Sequence, residues 1–145
     1  SLSAQCVVHD SIIEDSELGQ RIQVGPFSHI RAGGKIKDDA YIGNFVEIKN
    51  SKLGQGTKVA HFSYIGDAIL GTNVNVGAGT VTCNYDGKNK HSTIIGNNVF
   101  LGSDSMLIAP ITIGEGSSTA AGAVVTKNVP PNHLAVGIPA KNYPK

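Results

Sequence analysis

The stretch LGQRIQVGPFSHIRAGGKIKDDAYIGNFVEIK, residues 18–49, returns an aliphatic side chain at every sixth position: Leu18, Val24, Ile30, Ile36, Ile42 and Ile48. The series reaches back to Ile12. It slips by one residue to Leu53, Val59 and Ile65 and again to Leu70, Val76 and Thr82, then resumes at Ile95, Leu101, Leu107, Ile113, Thr119 and Val125. Two residues before most of these stands a small or β-branched residue, among them Ser28, Gly34, Ala40, Val46, Ser51, Thr57 and Ser63. A spacing of two puts both on one face of a strand, so each hexad sends one large and one small side chain inward. An α-helix needs a period near 3.6, which no window sustains. The hexad period therefore predicts an all-β chain wound as a parallel β-helix, with flat sides, about 18 residues to a coil and about 4.8 Å between coils. Residues about 18 apart stack on adjacent coils.

The interruptions are as informative as the repeat. Ile95 follows Thr82 by thirteen residues where six suffice. CNYDGKNKHSTI, 83–94, is therefore predicted to hold an inserted loop, and its Gly, Asp and Asn suit a turn. The ending NVPPNHLAVGIPAKNYPK, 128–145, loses the period, which predicts a β-helix domain over 1–128 and an irregular cap or tail over 129–145.

Composition narrows the function. The 145 residues suffice for one domain; with aromatics at 6% and no Trp, a bulky aromatic core is excluded. Twelve Lys and Arg against eleven Asp and Glu give a formal charge of +1, which argues against a nucleic-acid partner bound through a broad basic field. Cys6 and Cys83 lie outside CxxC or Cys/His metal spacing, so no metal site is expected and a reducing, cytoplasmic setting fits. No apolar run approaches the roughly 18 residues of a membrane span. Ser1 opens no signal-peptide pattern, and the missing initiator Met suggests a processed or excised piece.

Two columns of outward residues carry the chemistry. Arg31 and Lys49 are 18 apart and should stack with little between them. A bridging anion such as a phosphate relieves that repulsion, while two solvated surface charges are the plain alternative. His61, Ala78, Ser103 and Ala121 form the second column, once one slip and the loop are allowed for. Small residues there leave the backbone open to a thin, extended ligand, or are simply tolerated on a flat side. His61, with Tyr64 nearby and Lys49 on the preceding coil, suits a base that takes a proton from an attacking amine. Cys83 has no base fixed beside it and reads as packing. His61 and Asp67 lack a third metal ligand.

RAGGKI (31–36), IGNFVEIKNSKLGQGTKVAHFSYIGDA (42–68), VNVGAGTVTCNYDGKNKH (74–91) and FLGSDSMLIAP (100–110) together resemble one family. It is the acetyltransferase domain of the bifunctional N-acetylglucosamine-1-phosphate uridyltransferase/glucosamine-1-phosphate acetyltransferase, and the resemblance covers most of 18–130. The family's uridyltransferase half has no counterpart in the sequence. The resemblance implies a left-handed coil, against the usual right-handed crossover. It also implies acetyl transfer from acetyl-CoA to the amine of glucosamine 1-phosphate, on the route to UDP-N-acetylglucosamine and cell-wall precursors. Residue by residue, it implies His61 as proton acceptor and Arg31, Lys49, Tyr64 and Asn75 as sugar-phosphate ligands, with Asn84 and Lys90 as further substrate contacts. Acetyl-CoA contacts fall on Ala78, Asn84, Tyr85, Ser103 and Ala121. A homotrimer with shared sites is implied too, the loop reaching a neighbouring copy. One departure is Ile138, where the family has an Arg that contacts coenzyme A; Lys141 is the nearby candidate to replace its charge. Two alternatives stay open: a hexapeptide acetyltransferase for another amino sugar or a serine-like acceptor, and a noncatalytic trimerisation scaffold.

Overall fold

Each coil turns from its third side onto its first through a residue in the left-handed backbone region: Arg21, Asp39, Gly56, Asn73, Asn98, Gly116 and Asn132, with φ between 53° and 69°. Asn, Asp and Gly reach that region at least cost, which is why they recur at this corner. The computed structural model describes residues 5–145. Between corners the chain is extended, and short strands stack rung on rung in parallel.

The first side carries Val7–Val8, Gln23–Val24, the start of Tyr41–Lys49, the start of Lys58–Gly66, Asn75–Val76, Phe100–Leu101, Ser118–Thr119 and His133–Gly137. On the second side Ile12–Ile13, His29–Ile30, the ends of the two nine-residue strands, Val81–Cys83, Met106–Ile108 and Val124–Val125 stack in turn. The third side runs from Glu17–Leu18 to Ile111–Ile113. Tyr41–Lys49 and Lys58–Gly66 pass through the first corner without a break and pair from Tyr41↔Lys58 to Lys49↔Gly66. The architecture is a left-handed parallel β-helix of hexapeptide repeats, and no α-helix occurs among the described residues.

The interior is the alternation read from the sequence. Ile30, Ile42, Ile48, Val59, Ile65, Leu101, Leu107 and Ile113 are fully buried, as are Thr57, Thr80, Thr82 and Ser105 beside them. Burying each large aliphatic stabilises the fold by about 1.5–3 kcal/mol. The small polar residues are tolerated because their hydroxyls find carbonyls: Thr57 Oγ1 donates to Gly71 O at 2.9 Å and Ser105 Oγ to Gly102 O at 2.6 Å.

The structure adjusts two expectations, at Ile12 and in the tail, and meets a third, the inserted loop. Ile12 is 59% exposed, and Ile13 takes the inward position over Ile30. The reason is that left-handed corners at Asp10 and Asp15 set this short strand one residue later than the hexad count does. At the loop, Ala68 pairs with Thr93, 25 positions on, where the rungs on either side step 17 or 18. The surplus leaves the coil and returns in register. Past residue 128 the hexad spacing does end, yet the segment is ordered. Val129 bridges to Ile113, Leu134 and Ala135 add a first-side rung, and His133–Gly137 folds back on Ala140–Pro144 as an antiparallel hairpin that covers the open end.

Candidate active site

Lys58–Gly66 carries His61 at the corner between the first and second sides and Tyr64 outward on the second. Asn44 lies beside His61 on the preceding coil. The register that pairs Lys58 with Asn75, Asn75 with Phe100 and Phe100 with Ser118 continues the His61 column through Ala78, Ser103 and Ala121. One rung further the column meets Gly137, at the turn of the terminal hairpin. His61 is exposed, and Asn75 faces outward on the first side one rung after Lys58. Phe27, Phe45 and Phe62, one per coil, stand exposed along this corner, with the Phe27 and Phe45 rings stacked at 5.7 Å. The backbone along the track is not uniform. Gly77 and Gly79 donate their N–H groups to the Leu101 and Phe62 carbonyls, whereas the Ala78 N–H between them is uncommitted among the described residues.

The cations are arranged differently from the sequence reading. Arg31 and Lys49 do occupy adjacent coils, since the Arg31 N–H donates to the Ile48 carbonyl. The space between them is not empty, because Glu47 Oε1 reaches Arg31 Nη1 at 2.9 Å. That hydrogen bond lifts the guanidinium above its usual range, with the Glu47 charge adding to it. The like-charge contact is Lys49 with Lys90, which the loop folds back against it, and the Asp67 carboxylate offsets part of that repulsion. The Lys49 ammonium, first by its hydrogen-bonding position and then by its charge, pushes Lys90 below the usual lysine range.

A ladder at the corner between the second and third sides holds this arrangement. Asn50, Asp67 and Asn84 sit one above another on successive coils. Asp67 Oδ1 accepts from Asn50 Nδ2 and Asp67 Oδ2 from Asn84 Nδ2, both at 2.7 Å. Asn84, only 7% exposed, also donates to the Tyr64 hydroxyl at 3.2 Å. Burial pushes the Asp67 carboxyl up, but the hydrogen bonds from Asn50 and Asn84 and the charges of Lys49 and Lys90 outweigh it, leaving Asp67 below the ordinary carboxylate range. Gly66 makes room for the contact: a Cβ there would overlap the Tyr64 hydroxyl and come within 2.8 Å of Asn84 Nδ2. Asp67 thus works with Asn50 and Asn84 rather than with His61.

The loop is itself braced. Asp86 Oδ1 accepts the N–H groups of Lys88 and Asn89 at 2.8 and 2.7 Å, and its Oδ2 meets His91 Nε2 at 2.7 Å. These contacts, the Asn89 and His91 bonds foremost, hold Asp86 down at about 2. Tyr85 belongs to this brace: its backbone pairs with Lys90 and its hydroxyl donates to the Gly87 carbonyl at 2.7 Å. The structure brings Lys49, Tyr64, Asn84 and Lys90 together, and aligns His61, Ala78, Ser103 and Ala121. Within one chain Tyr85 joins neither group. Burial pushes the Cys83 thiol up, which disfavours the thiolate a nucleophile needs. Ile138, 76% exposed, occupies the hairpin turn, with Lys141 on the returning strand opposite Val136. Sequence reasoning missed Glu47, Asn50 and the structural part of Asp67. The signal was available for two of them, since Asn50, Asp67 and Asn84 recur every 17 residues, the coil length in that region.

Residues 92–127 match the family described as bacterial transferase hexapeptide (six repeats). The chain is 62% identical over 126 residues to the bifunctional protein GlmU of Baumannia cicadellinicola subsp. Homalodisca coagulata, a match covering 87% of this chain and 27% of that protein. With the bifunctional protein GlmU of Streptococcus uberis it shares 53% identity over 131 residues, 90% of this chain and 29% of that one. The chain thus spans less than a third of the length of these relatives. Among solved structures, a GDP-perosamine N-acetyl transferase mutant from Caulobacter crescentus superposes with a TM-score of 0.67 at 21% identity, over 98% of this chain and 55% of that one. The acetyltransferase domain of PglB from Neisseria gonorrhoeae gives the same score and identity, over 95% and 57%. At that identity the two establish the shared fold.

Proposed function

From a chain that carries the transferase hexapeptide repeat and is similar, over most of its length, to one part of bifunctional GlmU, we propose the transfer of an acetyl group from acetyl-CoA to the amine of glucosamine 1-phosphate. The observation that carries this reading is one strand, Lys58–Gly66, which puts His61 at the head of the small-residue track and Tyr64 beside the Lys49–Lys90 pair. A base thereby stands between a channel for a thin thioester and a site for an anionic acceptor.

In this mechanism the phosphate of the acceptor lies on Lys49 and Lys90, with Arg31 one coil away. Asn75 and Tyr64 offer polar contacts to the sugar. Acetyl-CoA lies along Ala78, Ser103 and Ala121, with Tyr85 of a loop contributing where copies meet, while Asn84, buried against Asp67 and Tyr64, serves the acceptor side. His61 takes a proton from the amine as its nitrogen attacks the thioester carbonyl. The carbonyl oxygen gains negative charge, which the uncommitted Ala78 N–H is placed to stabilise. The C–N bond forms, the C–S bond breaks, and the proton held by His61 passes to the departing sulfur. No acyl-enzyme is needed, consistent with the raised Cys83 thiol. The products are N-acetylglucosamine 1-phosphate and coenzyme A, and a cytoplasmic setting supplies both substrates. The assembly that completes the site is a homotrimer.

A thiol-release assay with acetyl-CoA tests the reading, offering glucosamine 1-phosphate, glucosamine and glucosamine 6-phosphate in parallel. Release with glucosamine 1-phosphate alone is expected, and His61→Ala should lower kcat by about 10²–10⁴, the usual worth of a general base, with little change in KM for the sugar phosphate. Turnover with a different acceptor only would replace the substrate assignment. Silence with every acceptor would leave the scaffold reading.

A further inference from the structure

We propose that Asp67 is a positioning residue which, through Asn84, fixes the Tyr64 hydroxyl as a hydrogen-bond donor toward the acceptor sugar; this rests on the function proposed above. The argument is one of counting protons. The Asn84 carboxamide has two N–H hydrogens, and the structure commits both of them: one to Asp67 Oδ2 at 2.7 Å, the other to the Tyr64 hydroxyl oxygen at 3.2 Å. A hydroxyl that accepts at its oxygen is left to donate its own hydrogen elsewhere. With Asn84 and Gly66 against the hydroxyl, the remaining direction for its hydrogen is away from both, toward the exposed side of the ring.

Asp67 is what prevents the carboxamide from turning over. A carboxylate has no hydrogen to give, so only the amine end of Asn84 can face it. Asp67 is in turn held on every available atom. Its Oδ1 takes Asn50 Nδ2 at 2.7 Å, its N–H donates to the Lys49 carbonyl at 3.0 Å, and its carbonyl accepts from Thr93 N–H at 3.2 Å. The same corner therefore ties the loop, the Lys49 strand and the Tyr64 ring into one orientation.

Replacing the carboxylate by its isosteric amide separates this role from simple charge. With Asp67→Asn, one oxygen can no longer serve both Asn50 and Asn84, and where the amine faces Asn84 that carboxamide must rotate. Its oxygen then faces Tyr64, whose hydroxyl hydrogen is drawn inward and lost to the ligand. A charge effect alone has the opposite sign, since removing an anion beside Lys49 and Lys90 would tighten the binding of a phosphate.

The test uses the whole chain and follows thiol release from acetyl-CoA with glucosamine 1-phosphate. Asp67→Asn is expected to raise KM for the sugar phosphate about tenfold, as loss of one hydrogen bond to a ligand does, with KM for acetyl-CoA unchanged and kcat within about threefold. Tyr64→Phe should do the same, and adding Asp67→Asn to it should change nothing further, because both act at one hydrogen. A KM that falls in Asp67→Asn, or stays put in both it and Asn84→Ala, overturns the proposal, as does an additive effect in the double variant. Asn84→Ala cuts the same relay with Asp67 intact, so if Asp67→Asn does not fold, the same KM rise and the same absence of additivity with Tyr64→Phe are required of it. If the unaltered protein shows no release with glucosamine 1-phosphate, the function reading fails and this proposal with it; if it does, the variants judge Asp67 alone.

Discussion

Asp86 shows how much one side chain can organise in this protein. Its carboxylate closes the loop by taking two backbone N–H groups and the His91 ring, an arrangement familiar from Asx turns, and so keeps Lys90 folded back against Lys49. Hydrogen bonds to the charged form favour that form, which is why the group sits at about 2 instead of 3.8. The sign of the linkage follows. A carboxyl depressed in the folded state lends stability that is fully present above its ordinary value of 3.8, and that stability is lost as pH falls toward about 2. The expected outcome is a carboxyl carbon resonance for Asp86 that titrates near 2, with the Lys88 and Asn89 amide resonances moving in step. A midpoint at 3.8 would mean that the brace does not form in solution. Gly66 makes the complementary point, for its missing Cβ is what admits the Tyr64–Asn84 contact.

At the scale of the strand, stability resides in rungs that repeat, not in any single contact. Ile48 is fully buried between Ile30 and Ile65, its rung neighbours. Truncating it to Ala removes contacts with both coils and leaves a cavity that parallel strands cannot close without breaking register, so Ile48→Ala should cost about 2–5 kcal/mol. Ile12, one residue out of the inward series, should cost no more than about 0.5 kcal/mol on the same change. Urea unfolding of the two variants checks this, and similar losses would contradict the assignment of Ile13 to the interior. The loop is an element of another kind. Because Ala68 and Thr93 pair in register across it, it projects from a coil whose hydrogen bonds run past its base.

The whole molecule presents apolar side chains that its own core does not use. Phe27, Phe45 and Phe62 line one corner and Phe100 the adjoining first side, while Ile69 and Ile94 stand on consecutive rungs of the third. Exposed apolar surface favours contact between copies, and the trimer proposed above predicts that these faces take part in it. Sedimentation equilibrium should give a mass near three times 15.1 kDa, and Phe45→Asp should lower it. A monomeric mass would overturn the trimer and with it the shared contact proposed for Tyr85.

The hexad period alone determined the coil, its inward ladder and the length of the loop's interruption, because in a β-helix the nearest neighbour of a residue is set by a constant step along the chain. Arg31 with Lys49 and His61 with Ala78, Ser103 and Ala121 were legible for the same reason. Where the step varied, the reading slipped: Ile12 stood in for Ile13, since left-handed corners at Asp10 and Asp15 shift the register without altering composition. The fold decided the rest. Lys90 reaches Lys49 only because a loop outside the repeat returns to the coil it left, whereas Asn84 meets Asp67 by the 17-residue step itself. Glu47 neutralises Arg31 through a rotamer that no spacing encodes. Period fixes which backbones are adjacent; which side chains then share a proton depends on the direction each one points, and that is settled by packing.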